Sequence, residues 1–168
     1  MKKNRKDITA GLSQLLERRL SGESVRFCRE VEFFEPHCRV DFVGFKYMVN
    51  GTGSVGGAEC GTASFYEVKS CMSDFKSGNG LTFDGDENWI VCPLDLGIEI
   101  VQTKPFAVGI YVPTPEGCTV KQFFESKNEY LGEVDGWSLK IYQRAMKRPR
   151  KRSVTEILAQ MVYAGLCN

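Results

Sequence analysis

The chain has 168 residues, 42% of them hydrophobic and 26% charged, with a net charge of +1. That is enough apolar material for one core of ordinary size, which predicts a single globular domain over residues 1–168. Collagen-like, coiled-coil and disordered classes are excluded by composition, and no apolar run reaches the roughly 20 residues that span a bilayer. The basic start, residues 1–6, is followed by no apolar leader segment, so a cytoplasmic location is the expectation.

Ile8, Leu12, Leu15, Leu16 and Leu20 recur at helical spacing and predict an amphipathic helix over 7–20, stopped near Gly22. Residues 25–34 read as a strand or two short strands, broken at Pro36, and the β-branched and aromatic run 39–45 as the next strand. The glycine-rich stretch 50–61 lacks the lysine of a phosphate-binding loop and predicts a long, mobile hairpin connection. Strands are expected at 63–70, 88–92 and 106–112, a short helix at 120–130 and a last strand at 138–146. The final helix has a start signal: Ser153-Val154-Thr155-Glu156 matches a capping box, and an apolar stripe from Val154 to Leu166 follows it. The sum is an α/β (α+β) domain with a mixed sheet flanked by helices.

Seven cysteines (Cys28, Cys38, Cys60, Cys71, Cys92, Cys118 and Cys167) are odd in number, scattered and without a C-x-x-C pair. This fits neither a disulfide framework nor a structural zinc site, and reads as reduced cysteines acting mostly as small core residues. Charge is distributed unevenly. Lys140, Arg144, Lys147, Arg148, Arg150, Lys151 and Arg152 form a run without an acidic residue, whereas 83–135 carries ten carboxylates against three lysines. A nearly neutral protein can thereby present one positive face to a polyanion, and those seven side chains are the candidates for phosphate-backbone contacts. The alternative is a solvated basic connector.

Side chains two apart on a strand share a face, so Glu67 and Lys69 project together beside Phe65. A hairpin brings Asp41 of the preceding strand level with Glu67. An Asp inside an apolar strand is informative, because a buried carboxylate without a partner is costly. Two close carboxylates call for a cation between them, and a hard ion such as Mg²⁺ (or Mn²⁺) suits Asp41, Glu67 and the backbone carbonyl of Val68. Such an ion acidifies bound water, and Lys69 can orient that water or offset charge on a phosphoryl group. Together these parts suit a phosphodiester hydrolase.

Asp41 followed by Glu67-Val68-Lys69 resembles the PD-(D/E)XK nuclease superfamily. Tyr66-Glu67-Val68-Lys69-Ser70, then Ser73-Asp74-Phe75-Lys76-Ser77 and Asp86-Glu87-Asn88-Trp89-Ile90-Val91-Cys92-Pro93, are similar to the MmcB-like DNA repair proteins and their phage-borne relatives. The resemblance implies a restriction-endonuclease-like core of helix, three-stranded meander, helix and strand, a divalent metal and a DNA-hydrolysing activity in repair or phage DNA metabolism within a bacterial cell. It carries over Asp41, Glu67 and Lys69 as catalytic residues. Glu17 on the first helix matches a glutamate that some members use for a second metal, although a solvent-facing role is the plainer reading. The interval from Lys76 to Asn88 is short for the pattern, so the helix there is expected to be curtailed, and 119–136 reads as an insertion.

His37 is a candidate proton shuttle but reads more simply as a turn residue. Ser70 and Ser73 suit either phosphate contact or helix capping, and Phe75 and Trp89 either base stacking or the core. Two other classes stay open: a non-catalytic nucleic-acid-binding module on the same fold, and a small interaction protein using the acidic 83–135 region. DNA strandedness is unreadable, and a homodimer is left open because no seam marks one.

Overall fold

The computed structural model describes residues 4–23, 25–48, 54–78 and 80–167. Twelve elements follow in order: α1 (Arg5–Ser21), β1 (Arg26–Phe34), β2 (His37–Lys46), α2 (Val55–Glu59), β3 (Thr62–Val68) and α3 (Met72–Lys76), then β4 (Glu87–Val91), α4 (Leu94–Ile100), β5 (Gly109–Pro115), α5 (Val120–Ser126), β6 (Trp137–Gln143) and α6 (Val154–Cys167). The strands form one six-stranded mixed sheet in sequence order. β1, β2 and β3 are an antiparallel meander, β3, β4 and β5 run parallel, and β6 returns antiparallel. The chain is therefore an α/β domain with helices on both faces of the sheet.

The helical spacing at the start of the chain is realised in α1. Asn4 caps it by accepting the Lys6 N–H, Gly22 ends it, and Ile8, Leu12, Leu15, Leu16 and Leu20 are buried. These pack on Phe42, Tyr66, Val68, Trp89, Val91 and Tyr111, which cover one face of the sheet. On the opposite face, α6 covers β1 to β3 through Val154, Ile157, Met161 and Ala164, while α4 and α5 cover β4 and β5. At the start of α6, Ser153 Oγ accepts the Glu156 N–H at 3.1 Å. The Glu156 carboxylate of the expected capping box is engaged by Arg152 instead, at 2.6 Å.

Three expectations are revised. The glycine-rich stretch contains a short helix, α2, capped by Ser54 Oγ on the Gly57 N–H; its residues 50–53, where mobility was expected, lie outside the described residues. β5 begins three residues later than expected and continues through Pro113 and Pro115. Prolines are tolerated there because β4 pairs only with Gly109, Ile110 and Tyr111, so nothing on that side needs an N–H at 113 or 115. α4 is an addition, since the alternation Ile98-Glu99-Ile100 hides a helical stripe of Leu94, Gly97 and Ile100 that begins after Pro93. α3 has five residues, in keeping with the short interval after it.

Of the described cysteines only Cys92 is fully buried; Cys60 is exposed and Cys28, Cys38, Cys71 and Cys118 lie between. The core role expected of most of them thus applies in full to Cys92, whose thiol is pushed up by burial. Cys28 and Cys38 pack at the margin of the α6 cluster.

The basic run holds the fold together. Residues 144–152 cross beside the loop before β4, where the Arg148 N–H donates to the Asp86 carbonyl and the Lys151 N–H to the Asp84 carbonyl. Arg150 donates to Asp86 Oδ2 at 2.8 Å and to the carbonyls of Gly61 and Glu59. Arg152, with its side chain 3% exposed, meets Asp84 at 3.1 Å and Glu156 at 2.6 Å and lies over the Phe33 ring. Removing one member of a buried ion pair leaves the other charge unpaired, which typically costs about 3–5 kcal/mol. Arg152→Ala is expected to lose stability on that order in urea unfolding, whereas Lys151→Ala, which removes a solvent-exposed cation from an Asp84 that Arg152 still neutralises, loses under about 1 kcal/mol. Equal losses in the two variants would refute the distinction between a buried and a solvent-exposed cation on Asp84.

Candidate functional site

β2 and β3 pair Phe42 with Tyr66 and Val43 with Phe65, which carries Asp41 to the level of Glu67 in the same register. Strand periodicity breaks just there. Cys38 and Val40 pack toward α6, as do Val43 and Phe45, while Phe42 packs toward α1, so β2 exchanges its buried face across Asp41 and Phe42. β1 makes the same exchange between Cys28 and Val31, around Glu30, whose φ of +50° is left-handed. The irregularity frees Asp41 from the ladder and aims its carboxylate along the sheet: Asp41 Oδ2 accepts the Val68 N–H at 2.8 Å. An extended residue points its N–H and C=O to the same side, so the Val68 carbonyl also belongs to the Asp41 side of β3.

Glu67 and Lys69 follow at the end of β3, both almost fully buried, with Lys69 Nζ 3.8 Å from Glu67 Oε2. Glu67 Oε1 is buried without a hydrogen-bond partner. Burial first, and then the Asp41 charge, push the Glu67 carboxyl up to about 9, with Lys69 opposing. Gly80 closes over this group: its φ is +78°, and a β-carbon there would overlap the Glu67 carboxylate. The three residues line a cleft of about 820 Å³ that is bounded by Arg5 and Thr9 of α1, the β1–β2 hairpin and Gly78, Gly80 and Thr82.

Among the described residues no cluster of three or more His, Cys, Asp or Glu side chains forms a metal cage. Where Asp41 comes level with Glu67 the donors are fewer and all oxygen: Asp41, Glu67 and the Val68 carbonyl. An orphaned, buried carboxylate oxygen beside a second carboxylate is the environment that a hard cation relieves, and a set of this size suits Mg²⁺ or Mn²⁺ completed by water and phosphate. These residues fit such an ion.

The other sequence candidates are placed as follows. Glu17 does not join the cleft; it pairs with Arg29 at 3.0 Å. His37 is exposed on the cleft rim, 3.8 Å from Glu32. The Ser70 hydroxyl is buried and that of Ser73 meets Cys71 Sγ at 3.1 Å. Trp89 stacks on Tyr111 in the α1-side core and Phe75 packs near α4, so both serve packing. Of the basic run, Lys140, Arg144 and Arg148 are exposed, Lys147 donates to Thr62 Oγ1 at 2.8 Å, the exposed Lys151 pairs with Asp84, and Arg150 and Arg152 are engaged inside the fold. The sequence reading missed Arg5, Arg39 and Asp74 at the cleft. It also missed Asp84 and Asp86, whose i, i+2 spacing mirrors that of Arg150 and Arg152 and was the available signal.

No family model matches the chain, and no curated protein matches it. Among solved structures it is similar to SPO1766, a protein of unknown function from Silicibacter pomeroyi, at 14% identity and a TM-score of 0.54, over 99% of this chain and 88% of that one. That likeness concerns the fold, an α/β domain built on one mixed sheet. No helix among the described residues is long and apolar enough to cross a membrane.

A Glu67 that is neutral in the fold and ionised when unfolded gives the native state the extra proton between pH 4.5 and about 9, so stability falls as pH rises through that window. Glu67→Gln removes this penalty. Without divalent ions its Tm is expected to exceed that of the wild type at pH 8 by several degrees, and the two values should converge toward pH 4.5. A gap that is the same at both pH values would show that Glu67 ionisation is not its source.

Proposed function

We propose that this protein is a divalent-cation-dependent nuclease that hydrolyses DNA phosphodiester bonds, with Asp41, Glu67 and Lys69 as its catalytic group. The observation that carries the reading is the buried, unpartnered Glu67 Oε1, set between Asp41 and Lys69 in an open cleft. A structural ion pair would satisfy its carboxylate; this one is left with an oxygen to give. The element order supports the same reading: α1, an antiparallel meander, a short helix and a strand parallel to β3 is the layout implied by the PD-(D/E)XK resemblance.

Each residue then has a task. Asp41 fixes the end of β3 through the Val68 N–H and lines the cleft with a second carboxylate oxygen outside that bond. Glu67 offers Oε1 from a dry setting, and Gly80 keeps other side chains off it. A bound Mg²⁺ or Mn²⁺ supplies Lewis-acid polarisation of a phosphoryl oxygen and a more acidic water. Lys69 holds a positive charge within reach of the same carboxylate, where it orients the attacking water and offsets charge that develops on the phosphate.

Incubation of single- and double-stranded DNA with the wild type and Mg²⁺ or Mn²⁺ is expected to give cleavage that EDTA abolishes. Lys69→Ala and Asp41→Ala should each lower the rate by about 10²-fold or more, the scale on which a transition-state charge donor acts. Salt-sensitive DNA binding that is unaltered in both variants, without cutting by the wild type, would support a non-catalytic binding module instead.

A further inference from the structure

We propose that Arg5 and Arg39 hold the phosphodiester backbone on the two sides of the Asp41–Glu67–Lys69 group, and that the cleft admits this polyanion only together with a divalent cation. The inference rests on the nuclease reading and names the phosphate-holding residues of that site.

The basic run is the obvious phosphate surface, yet its strongest donors are already used. Arg150 makes three bonds within the fold, Arg152 is buried among Asp84, Glu156 and Phe33, and Lys151 meets Asp84 at 3.1 Å. Arg5 and Arg39 differ from Arg150 and Arg152 in exposure and from the whole run in place. Their side chains are 59% and 61% exposed, and both line the cleft itself. Each is tied to one carboxylate: Arg5 Nη2 to Asp74 Oδ1 at 2.9 Å on the β3 side, Arg39 Nε to Glu30 Oε2 at 3.0 Å on the β1 side. A guanidinium has five N–H donors in a planar fork that matches phosphate, so one carboxylate orients it without exhausting it. Both forks belong to the same cleft lining as Asp41 and Glu67.

The second half follows from the charge of the cleft. Its lining holds Glu30, Glu32, Asp41, Glu67 and Asp74 against Arg5, Arg39 and Lys69. With Glu67 protonated in its buried setting, the other four carboxylates still outnumber the three cations and disfavour a polyanion, and the two arginines cannot outweigh them alone. A divalent ion at Asp41 and Glu67 reverses the local balance and makes the arginine forks productive.

The test is fluorescence anisotropy of fluorescein-labelled DNA, single-stranded and duplex, in Ca²⁺ and in EDTA; Ca²⁺ takes the same oxygen ligands. Binding by the wild type is expected to be about tenfold or more tighter in Ca²⁺, to weaken about tenfold in Arg5→Gln/Arg39→Gln, and to change less than about twofold in Lys140→Gln/Arg144→Gln. Arg39→Lys, which keeps the charge but loses the fork, should also bind more weakly and covers the case in which the double variant does not fold. Equal affinity in EDTA, unchanged binding by the Arg5/Arg39 variants, or loss confined to the Lys140/Arg144 variant overturns the inference. A wild type that cuts DNA at the same rate as Arg5→Gln/Arg39→Gln keeps the nuclease reading while sinking this one. A wild type that neither binds nor cuts with any divalent ion overturns both.

Discussion

Asp84 and Asp86 are carboxylates buried in the loop that feeds β4, and the fold around the cleft depends on neutralising them. Charge removed from water must be paired and hydrogen-bonded, or the native state loses several kcal/mol per group. Arg150 and Arg152 meet that demand from a segment more than sixty residues away, and the backbone of 148–151 adds two bonds to the same loop. Asp86 also accepts the Ala63 N–H, and Asn88 clamps Gly85 through both ends of its amide. One ionic latch thereby ties the start of β3, the entry to β4 and the approach to α6.

The latch reaches the cleft through the chain between α3 and β4. Lys151 Nζ lies 3.5 Å from the Thr82 carbonyl, Thr82 lines the cleft, and Gly80 rests on the Glu67 carboxylate. Basic side chains that composition assigns to a polyanion thus shape the site from behind. A short helix and a glycine at positive φ complete the arrangement: any other residue at Gly80 would meet both backbone strain and the Glu67 oxygens.

The site stands on a break in regularity. An ideal alternation in β2 would hold Asp41 to one face, with its backbone wholly in the ladder. The paired exchange of faces in β1 and β2, marked by the left-handed Glu30, instead lets Asp41 reach the Val68 N–H. Functional residues often sit at such irregularities, because re-aiming a side chain requires a departure from the repeat. The likeness to SPO1766 extends over nearly the whole chain, so the fold recurs at a sequence distance where few side chains are shared.

Much of this was legible in the sequence because it is local. The leucine spacing of α1, the β-branched and aromatic residues of β1 to β4 and the serine cap of α6 each follow from contacts within a few residues, and the structure places all of them close to where the sequence pattern does. The level pairing of Asp41 with Glu67 followed from hairpin geometry, and the register agrees with it. Tertiary structure alone decided the rest. Whether a basic side chain faces solvent or a buried aspartate depends on a partner that arrives from across the fold, so Arg152 and Lys140 look alike in sequence and differ completely in place. Likewise, the arginines at the cleft, Arg5 and Arg39, belong to a helix and a strand that meet only once the sheet is assembled. Local chemistry specified the elements and the carboxylates; the pairing of buried charge, which is settled only among distant residues, decided which cations were left for anything else.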